Sequence, residues 1–308
     1  MIVNCKNSNL SDNIDFIGIG VGKSGSTWVA ECLRAHPEIL FAEEKEITFF
    51  NEEKMFTQHL PGKSIQKYNR RYNNGIEWYI DQFPQYEFGK IRGEFSIDYL
   101  FDKKAPQRIQ LHFPNVKLLV TLRNPREMLY SLYQHFQTTI RYSVKEEFST
   151  LIQNDNFLSV GLYHKQLKRY YELFPVENIH VILLDDIKNN PKNVVKKLFH
   201  FLNVSEDYYS SSMNEKIGHD SLPKNQYIHG LCNNILKLVA DITPCKIYDA
   251  ISSNSTLYNL YSRINMIKRS DKYHLMQSIE VEYLKNYYKD DIENLSKLIQ
   301  RDLSAWYI

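Results

Sequence analysis

The chain has 308 residues, with 38 Lys and Arg against 36 Asp and Glu, and is 43% hydrophobic, 13% aromatic and 24% charged. Those proportions exclude an intrinsically disordered, collagen-like or disulfide-dense protein. The formal net charge of +2 supplies no global field to attract nucleic acid or a membrane, so any anion site must be built locally.

The first twenty residues contain no continuous apolar run of signal-peptide length, and no window approaches the roughly eighteen apolar residues that span a bilayer. Cys5, Cys32, Cys232 and Cys245 have neither metal-ligand spacing nor a CxxC pair. A cytoplasmic protein with reduced thiols is the expectation, with neither nucleic acid nor membrane as partner.

Short apolar runs rich in β-branched residues predict strands at Asp15–Val21, Glu38–Ala42, Ile91–Phe95, Val116–Leu122 and Ile179–Leu184. Between them, Trp28, Val29, Cys32 and Leu33, and later Leu129, Leu132, Tyr133 and Phe136, recur at helical spacing. His36-Pro37 ends the first helix, because the residue before proline avoids the α region. Asn124-Pro125-Arg126-Glu127 opens another, with Asn as N-cap and Pro at the first helical position. Residues 155–174 read as one long helix closed by Pro175, and Pro191 starts the next, over residues 193–202.

After Tyr208 no further strands are expected: Gly218 to Gln226 reads as a loop, and residues 228–240 and 271–306 as helices. The alternation predicts an α/β protein of three layers, a central, mostly parallel sheet flanked by helices, with a C-terminal helical extension. One domain is expected over residues 1–308, its α/β core at about 14–206 and its C-terminal loop and helical layer at about 207–308.

The most informative segment is Gly18-Ile19-Gly20-Val21-Gly22-Lys23-Ser24-Gly25-Ser26-Thr27-Trp28, which leaves a strand and enters a helix. Amides at such a turn point outward and the helix dipole adds positive potential, which suits an anionic group and makes the fold P-loop-like. Gly20, Gly22 and Gly25 fit the dinucleotide pattern GxGxxG, with Glu43 and Glu44 at a ribose-contacting distance, but that motif does not ask for a lysine in the turn. The GKS at Gly22 to Ser24 is closer to a nucleotide-triphosphatase loop. That loop needs a glycine where Ile17 stands, and Gly18 makes it one residue too short.

Read as a unit, Lys23-Ser24-Gly25-Ser26-Thr27-Trp28 resembles the 5′-phosphosulfate loop of the sulfotransferases that use 3′-phosphoadenosine-5′-phosphosulfate (PAPS), usually KSGTTW, with Ser26 replacing Thr. A hundred residues on, Arg123-Asn124-Pro125-Arg126-Glu127 with Ser131 is similar to the family's 3′-phosphate motif. Lys45-Glu46-Ile47-Thr48-Phe49-Phe50-Asn51, Gly75-Ile76-Glu77-Trp78-Tyr79, the stretch 161–204 and the ending Arg301-Asp302-Leu303-Ser304-Ala305-Trp306 resemble heparan-sulfate-type members. The Golgi members carry an N-terminal membrane anchor and a C-terminal disulfide, and neither is expected here.

The carboxyl ends of parallel strands converge on one edge, and there Lys23 follows strand one, Glu46 strand two, Glu94 ends strand three and Arg123 ends strand four. The resemblance implies that Lys23 neutralises charge on the bridging oxygen as 3′,5′-adenosine bisphosphate (PAP) leaves, with no metal required. It implies that Lys23, Ser24, Gly25, Ser26 and Thr27 cradle the 5′-phosphate with Trp28 beside them, that Arg123 and Ser131 hold the 3′-phosphate, and that Tyr163 stacks on adenine. Ion pairing with Glu127 and core packing are the plain alternatives for Arg123 and for Trp28 and Tyr163 respectively. Lys216, Gly218 and His219 resemble a loop that closes over the nucleotide.

The resemblance implies Glu46 as the general base, with a surface role as its plain alternative; Glu94 and Asp98 are the second candidates and His59 a further one, while His112 reads as a surface helix residue. Relatives have Glu-Lys-Ser where this chain has Glu94-Phe95-Ser96, so an acceptor-binding lysine does not carry over. The expected acceptor is a hydroxyl or amine of a small metabolite or a saccharide. The basic run Lys63, Lys67, Arg70 and Arg71 suits an anionic sugar chain or is simply solvated, and 22 Tyr and 16 Phe equally suit a metabolite pocket. A P-loop kinase and a nucleotide-binding module without catalysis are the rival readings.

Overall fold

The computed structural model describes residues 14–52, 71–138, 146–210, 213, 221–223, 266–268 and 276–307. A five-stranded sheet is built from β1 (Phe16–Gly20), β2 (Ile39–Phe41), β3 (Ile91–Phe95), β4 (Lys117–Leu122) and β5 (Ile179–Leu183). The strand order is β2-β3-β1-β4-β5, and every neighbouring pair is parallel. All five expected strands are present, Ile91–Phe95 with the expected bounds and the others trimmed by one or two residues.

Parallel strands need helical crossovers, and these cover both faces of the sheet. Period-two alternation sends Phe16, Phe95, Leu119 and Ile182 to one face, against α1 (Ser26–Ala35) and α9 (Pro191–Leu202). Ile17, Ile19, Leu118, Val120 and Leu122 point to the other. There they join α4 (Pro125–Thr138), α7 (Tyr163–Tyr171) and α10 (Ser278–Ile299) in one core. Leu284, Tyr288, Ile292 and Leu295 at helical spacing bury the inner stripe of α10. Short helices α2 (Ile76–Ile80), α3 (Ala105–His112), α5 (Phe148–Leu151), α6 (Asp155–Ser159) and α8 (Leu184–Asn189) complete the described layers.

Three expectations change. The helix expected over residues 155–174 is two helices, α6 and α7, because Gly161 lies against Tyr288 of α10: a Cβ there would sit 2.8 Å from its phenolic oxygen. Tyr288 also donates to the Leu158 carbonyl at 2.5 Å, which anchors the break. The final helix begins at Ser278 and ends at Ile299, where Gln300 turns left-handed at φ 52°, and a separate 3₁₀ turn covers Ser304–Tyr307. Strands do recur after Tyr208: β6 (Ser221–Pro223) pairs antiparallel with β7 (Met266–Lys268), a long-range pairing that residues 218–226 do not reveal locally. The helix expected at 228–240 lies outside the described residues.

Candidate active site

β1 is the central strand, so the turn that follows it sits mid-rim at the carboxyl ends of the sheet. Val21 N donates to the Thr121 carbonyl at 2.8 Å. The buried Ser24 hydroxyl bonds the Val21 carbonyl at 2.5 Å, the Thr121 carbonyl at 2.9 Å and the Thr121 hydroxyl at 2.7 Å. Ser24 therefore faces the sheet, and its backbone is what it offers to the rim. Lys23 and Gly25 are left-handed, at φ 63° and 91°. Gly25 caps α1, its carbonyl accepting from Val29 N at 3.0 Å, and a Cβ there would press to 2.9 Å from Ile187. Thr27 is exposed in the first turn, whereas Ser26 is buried. Trp28 is buried in the α1–α9 core and donates its indole N–H to the Met213 carbonyl at 2.9 Å.

Arg123 leaves β4 beside this turn. Its Nε and Nη2 donate to Glu127 Oε2 at 3.0 and 2.9 Å, and its Nη1 reaches the Lys23 carbonyl at 3.4 Å. Asn124 caps α4 as expected, Oδ1 accepting from Arg126 N at 3.1 Å. Ser131 lies half-buried two turns along. Desolvation and then the Lys23 ammonium depress the His135 imidazole farther along the same helix. Tyr163 is fully buried, its ring edge-to-face with Trp306 at 6.5 Å, and its hydroxyl has no hydrogen-bond partner among the described residues. Burial pushes that phenol well up, against the opposing pull of the Arg123 charge.

The Glu46 carboxylate stands between two donors: Lys45 Nζ meets Oε1 at 2.8 Å and Ile97 N meets Oε2 at 2.8 Å. Lys45 Nζ also lies 3.4 Å from Thr27 Oγ1, which joins the Glu46 loop to the glycine turn. Glu94, one strand end away, is fully buried and accepts from Ser96 at 2.6 Å, Tyr99 at 2.6 Å and Tyr79 at 3.2 Å. Burial pushes its carboxyl up to about 7 against the pull of those hydroxyls, and the charge of Glu46 adds to the rise. Asp98 is buried nearby. His112 sits at the opposite rim, lining a cavity of about 450 Å³ beside the amino ends of β1, β3 and β4 and bonding Tyr72 at 3.0 Å. His59, Lys216, Gly218 and His219, with Lys63, Lys67 and Arg70, lie outside the described residues.

Sequence reasoning passed over Lys45 although it precedes Glu46, and it passed over Thr121 and Tyr79, whose parts depend on distant partners. It also left Trp306 without a role. The Trp306 carbonyl accepts from Arg126 at 2.9 Å and Asn124 at 3.3 Å, and its indole donates to Asp185 at 3.0 Å, drawing the C-terminal turn onto the Arg123 motif. A larger cavity, about 560 Å³, follows the β5 edge between His180, Lys197 and Arg301, and none of the rim residues lines it.

Residues 13–226, more than half of the chain, match the family model described as Sulfotransferase domain. The chain belongs to the PAPS-dependent sulfotransferase family. Among relatives of this sulfotransferase is the membrane-associated sulfotransferase kil1 of Dictyostelium discoideum, 25% identical over 342 residues, covering 81% of this chain and 65% of that protein. Another is the mouse bifunctional heparan sulfate N-deacetylase/N-sulfotransferase 3, 27% identical, covering 64% of this chain and 23% of that protein. The chain thus spans less than two thirds of either relative's length. A sulfotransferase structure from Alicyclobacillus acidocaldarius shares the fold with a TM-score of 0.63 at 23% identity, covering 96% of this chain and 99% of that one. No helix among the described residues is long and apolar enough to cross a membrane.

Proposed function

We propose that this sulfotransferase moves a sulfuryl group from PAPS to a hydroxyl or amine of a saccharide or small-molecule acceptor, with Lys23 stabilising the leaving group and Glu46 as general base. The observation that carries the reading is the contact of Lys45 with both Glu46 and Thr27, which brings a carboxylate up to the lysine-bearing turn. The residues suit the donor. The left-handed Gly25 opens a helix N-terminus to an anion, and the buried Tyr163 hydroxyl, without a hydrogen-bond partner among the described residues, suits a polar group.

When bound, PAPS supplies an activated sulfur and a good leaving group. Lys23 and the amides of Gly25, Ser26 and Thr27 would hold its 5′ side. Arg123 and Ser131 would hold its 3′-phosphate, Arg123 exchanging Glu127 for it. The acceptor's lone pair forms the new bond to sulfur as the bond from sulfur to the bridging oxygen breaks, with the electrons leaving on PAP. Glu46 takes the acceptor proton, and Lys23 neutralises the charge on the departing oxygen. Names of relatives containing heparan sulfate support a saccharide acceptor.

A thermal-shift comparison tests the reading: PAP without magnesium should stabilise the protein strongly, and a larger shift with ATP and magnesium would overturn it in favour of a kinase. Sulfur transfer that persists in full in Glu46→Gln would remove Glu46 as base. A cytoplasmic location is proposed from the cysteine pattern; recovery of the protein in a washed membrane fraction would refute it.

A further inference from the structure

Glu46 lies on a loop whose backbone is costly to hold. Glu46 and Thr48 both have left-handed φ, at 68° and 51°, and Thr48 is β-branched, a residue type that resists this region. Such a loop keeps one shape only if its surroundings fix it. Thr48 N donates to Ser96 Oγ at 2.9 Å, and Ser96 Oγ donates to Glu94 Oε2 at 2.6 Å. Phe49 N donates to Tyr99 Oη at 3.0 Å, and Tyr99 Oη donates to Glu94 Oε1 at 2.6 Å. Two neighbouring amides of the Glu46 loop are therefore held through two hydroxyls that converge on one buried carboxylate.

We infer that Glu94 is a positioning residue for Glu46, acting as the ionised acceptor that orients the Ser96 and Tyr99 hydroxyls and so fixes the backbone of the base loop. The inference rests on the reading of Glu46 as base and deepens it.

The physical reason is proton direction. A hydroxyl has one proton and can also accept. A carboxylate only accepts, so it draws both hydroxyl protons inward and leaves their lone pairs facing the Thr48 and Phe49 amides. A protonated Glu94 carries a donor of its own. Of the three hydroxyls around it, Ser96 and Tyr99 at 2.6 Å are closer than Tyr79 at 3.2 Å, so the proton is directed at one of those two, and an inward donor turns that hydroxyl's proton towards the loop amide. That relay is then broken, and its amide is left buried without an acceptor. The titratable groups facing Glu94 are Tyr79 from α2, Tyr99 from the turn after β3, and Glu46 itself. Both tyrosines are pushed well up by burial and stay neutral, so they do not compete with Glu94 for a change of charge near neutrality. Since the Glu94 carboxyl is pushed up to about 7, the loop tightens as pH rises through neutrality.

The test reads the loop directly. Amide hydrogen exchange of residues 46–50, corrected for its intrinsic pH dependence, is compared at pH 6 and pH 8.5 in the wild-type protein, Glu94→Gln and Ser96→Ala. Wild-type protection should rise at least several-fold at the higher pH, Glu94→Gln should show low protection at both, and Ser96→Ala should lose protection at Thr48 while keeping it at Phe49. Retained PAP affinity reports that each variant is folded. In sulfur transfer from PAPS to de-N-sulfated heparin, Glu94→Gln should lower kcat at least tenfold with the KM for PAPS within about twofold. Wild-type protection equal at both pH values would overturn the inference even if Glu94→Gln does not fold, and so would Glu94→Gln protection matching wild type. Full activity of Glu46→Gln would refute the base reading without changing the exchange result, so the two failures are distinguishable.

Discussion

Two loops meet at the carboxyl rim of this sulfotransferase, and each bends through left-handed residues: Lys23 and Gly25 in one, Glu46 and Thr48 in the other. They are held by opposite means. The glycine turn is tied down mainly by neutral groups, the Ser24 and Thr121 hydroxyls and backbone carbonyls, with the permanently charged Arg123 reaching the Lys23 carbonyl. The Glu46 loop is tied through hydroxyls to the fully buried Glu94 carboxyl. Neutral bonds make a cradle indifferent to pH around neutrality, while a buried titratable anchor makes its loop respond to it.

The largest effect expected from perturbing this contrast is chemical. Lys23→Ala should lower kcat for sulfur transfer by about 10²–10³ or more, as loss of a charge stabiliser at the leaving group does. Its PAP affinity, followed by calorimetry, should fall far less, since Arg123 and the turn's amides remain. Equal losses in kcat and binding would reduce Lys23 to a binding residue.

Next is the pH dependence of stability. Glu94 has its folded pKa raised from 4.5 to about 7, so its protonated form is favoured by folding. The stability linked to this proton is fully present below about 4.5 and is lost as pH rises towards 7. The loss is on the order of 3 kcal/mol. Urea unfolding of wild type and Glu94→Gln at pH 5 and pH 8 should show wild type losing stability relative to the variant at the higher pH. A constant difference would show that Glu94 does not titrate in this window.

Ser24→Ala should cost about 1–3 kcal/mol by removing the buried hydroxyl that ties the Val21 carbonyl to Thr121, and the cost should be the same at pH 5 and pH 8. A pH-dependent loss would erase the contrast between the loops. The smallest effect belongs to Glu127→Gln. Its pair with Arg123 is partly exposed and worth about 0.5 kcal/mol or less to the fold. Releasing Arg123 from it should tighten PAP binding by about twofold, and weaker binding would mean that Glu127 positions Arg123 rather than competing for it.

Patterns of short range were enough to place the strands, the glycine turn, the Asn124 cap and the convergence of Lys23, Glu46, Glu94 and Arg123 on one rim. Period-two apolar runs and turn residues act over a few positions, and parallel topology then fixes which ends converge. The tertiary structure decided the rest. Ser24 looks like a phosphate-loop hydroxyl until Thr121, 97 residues away, takes it inward. The single helix expected after Asp155 breaks because Tyr288 fills the space beside Gly161. Glu94 is one acid among 36 in the sequence. Only burial among Tyr79, Ser96 and Tyr99 makes its proton matter, because the energy of a buried charge depends on what surrounds it, and those surroundings are assembled by folding.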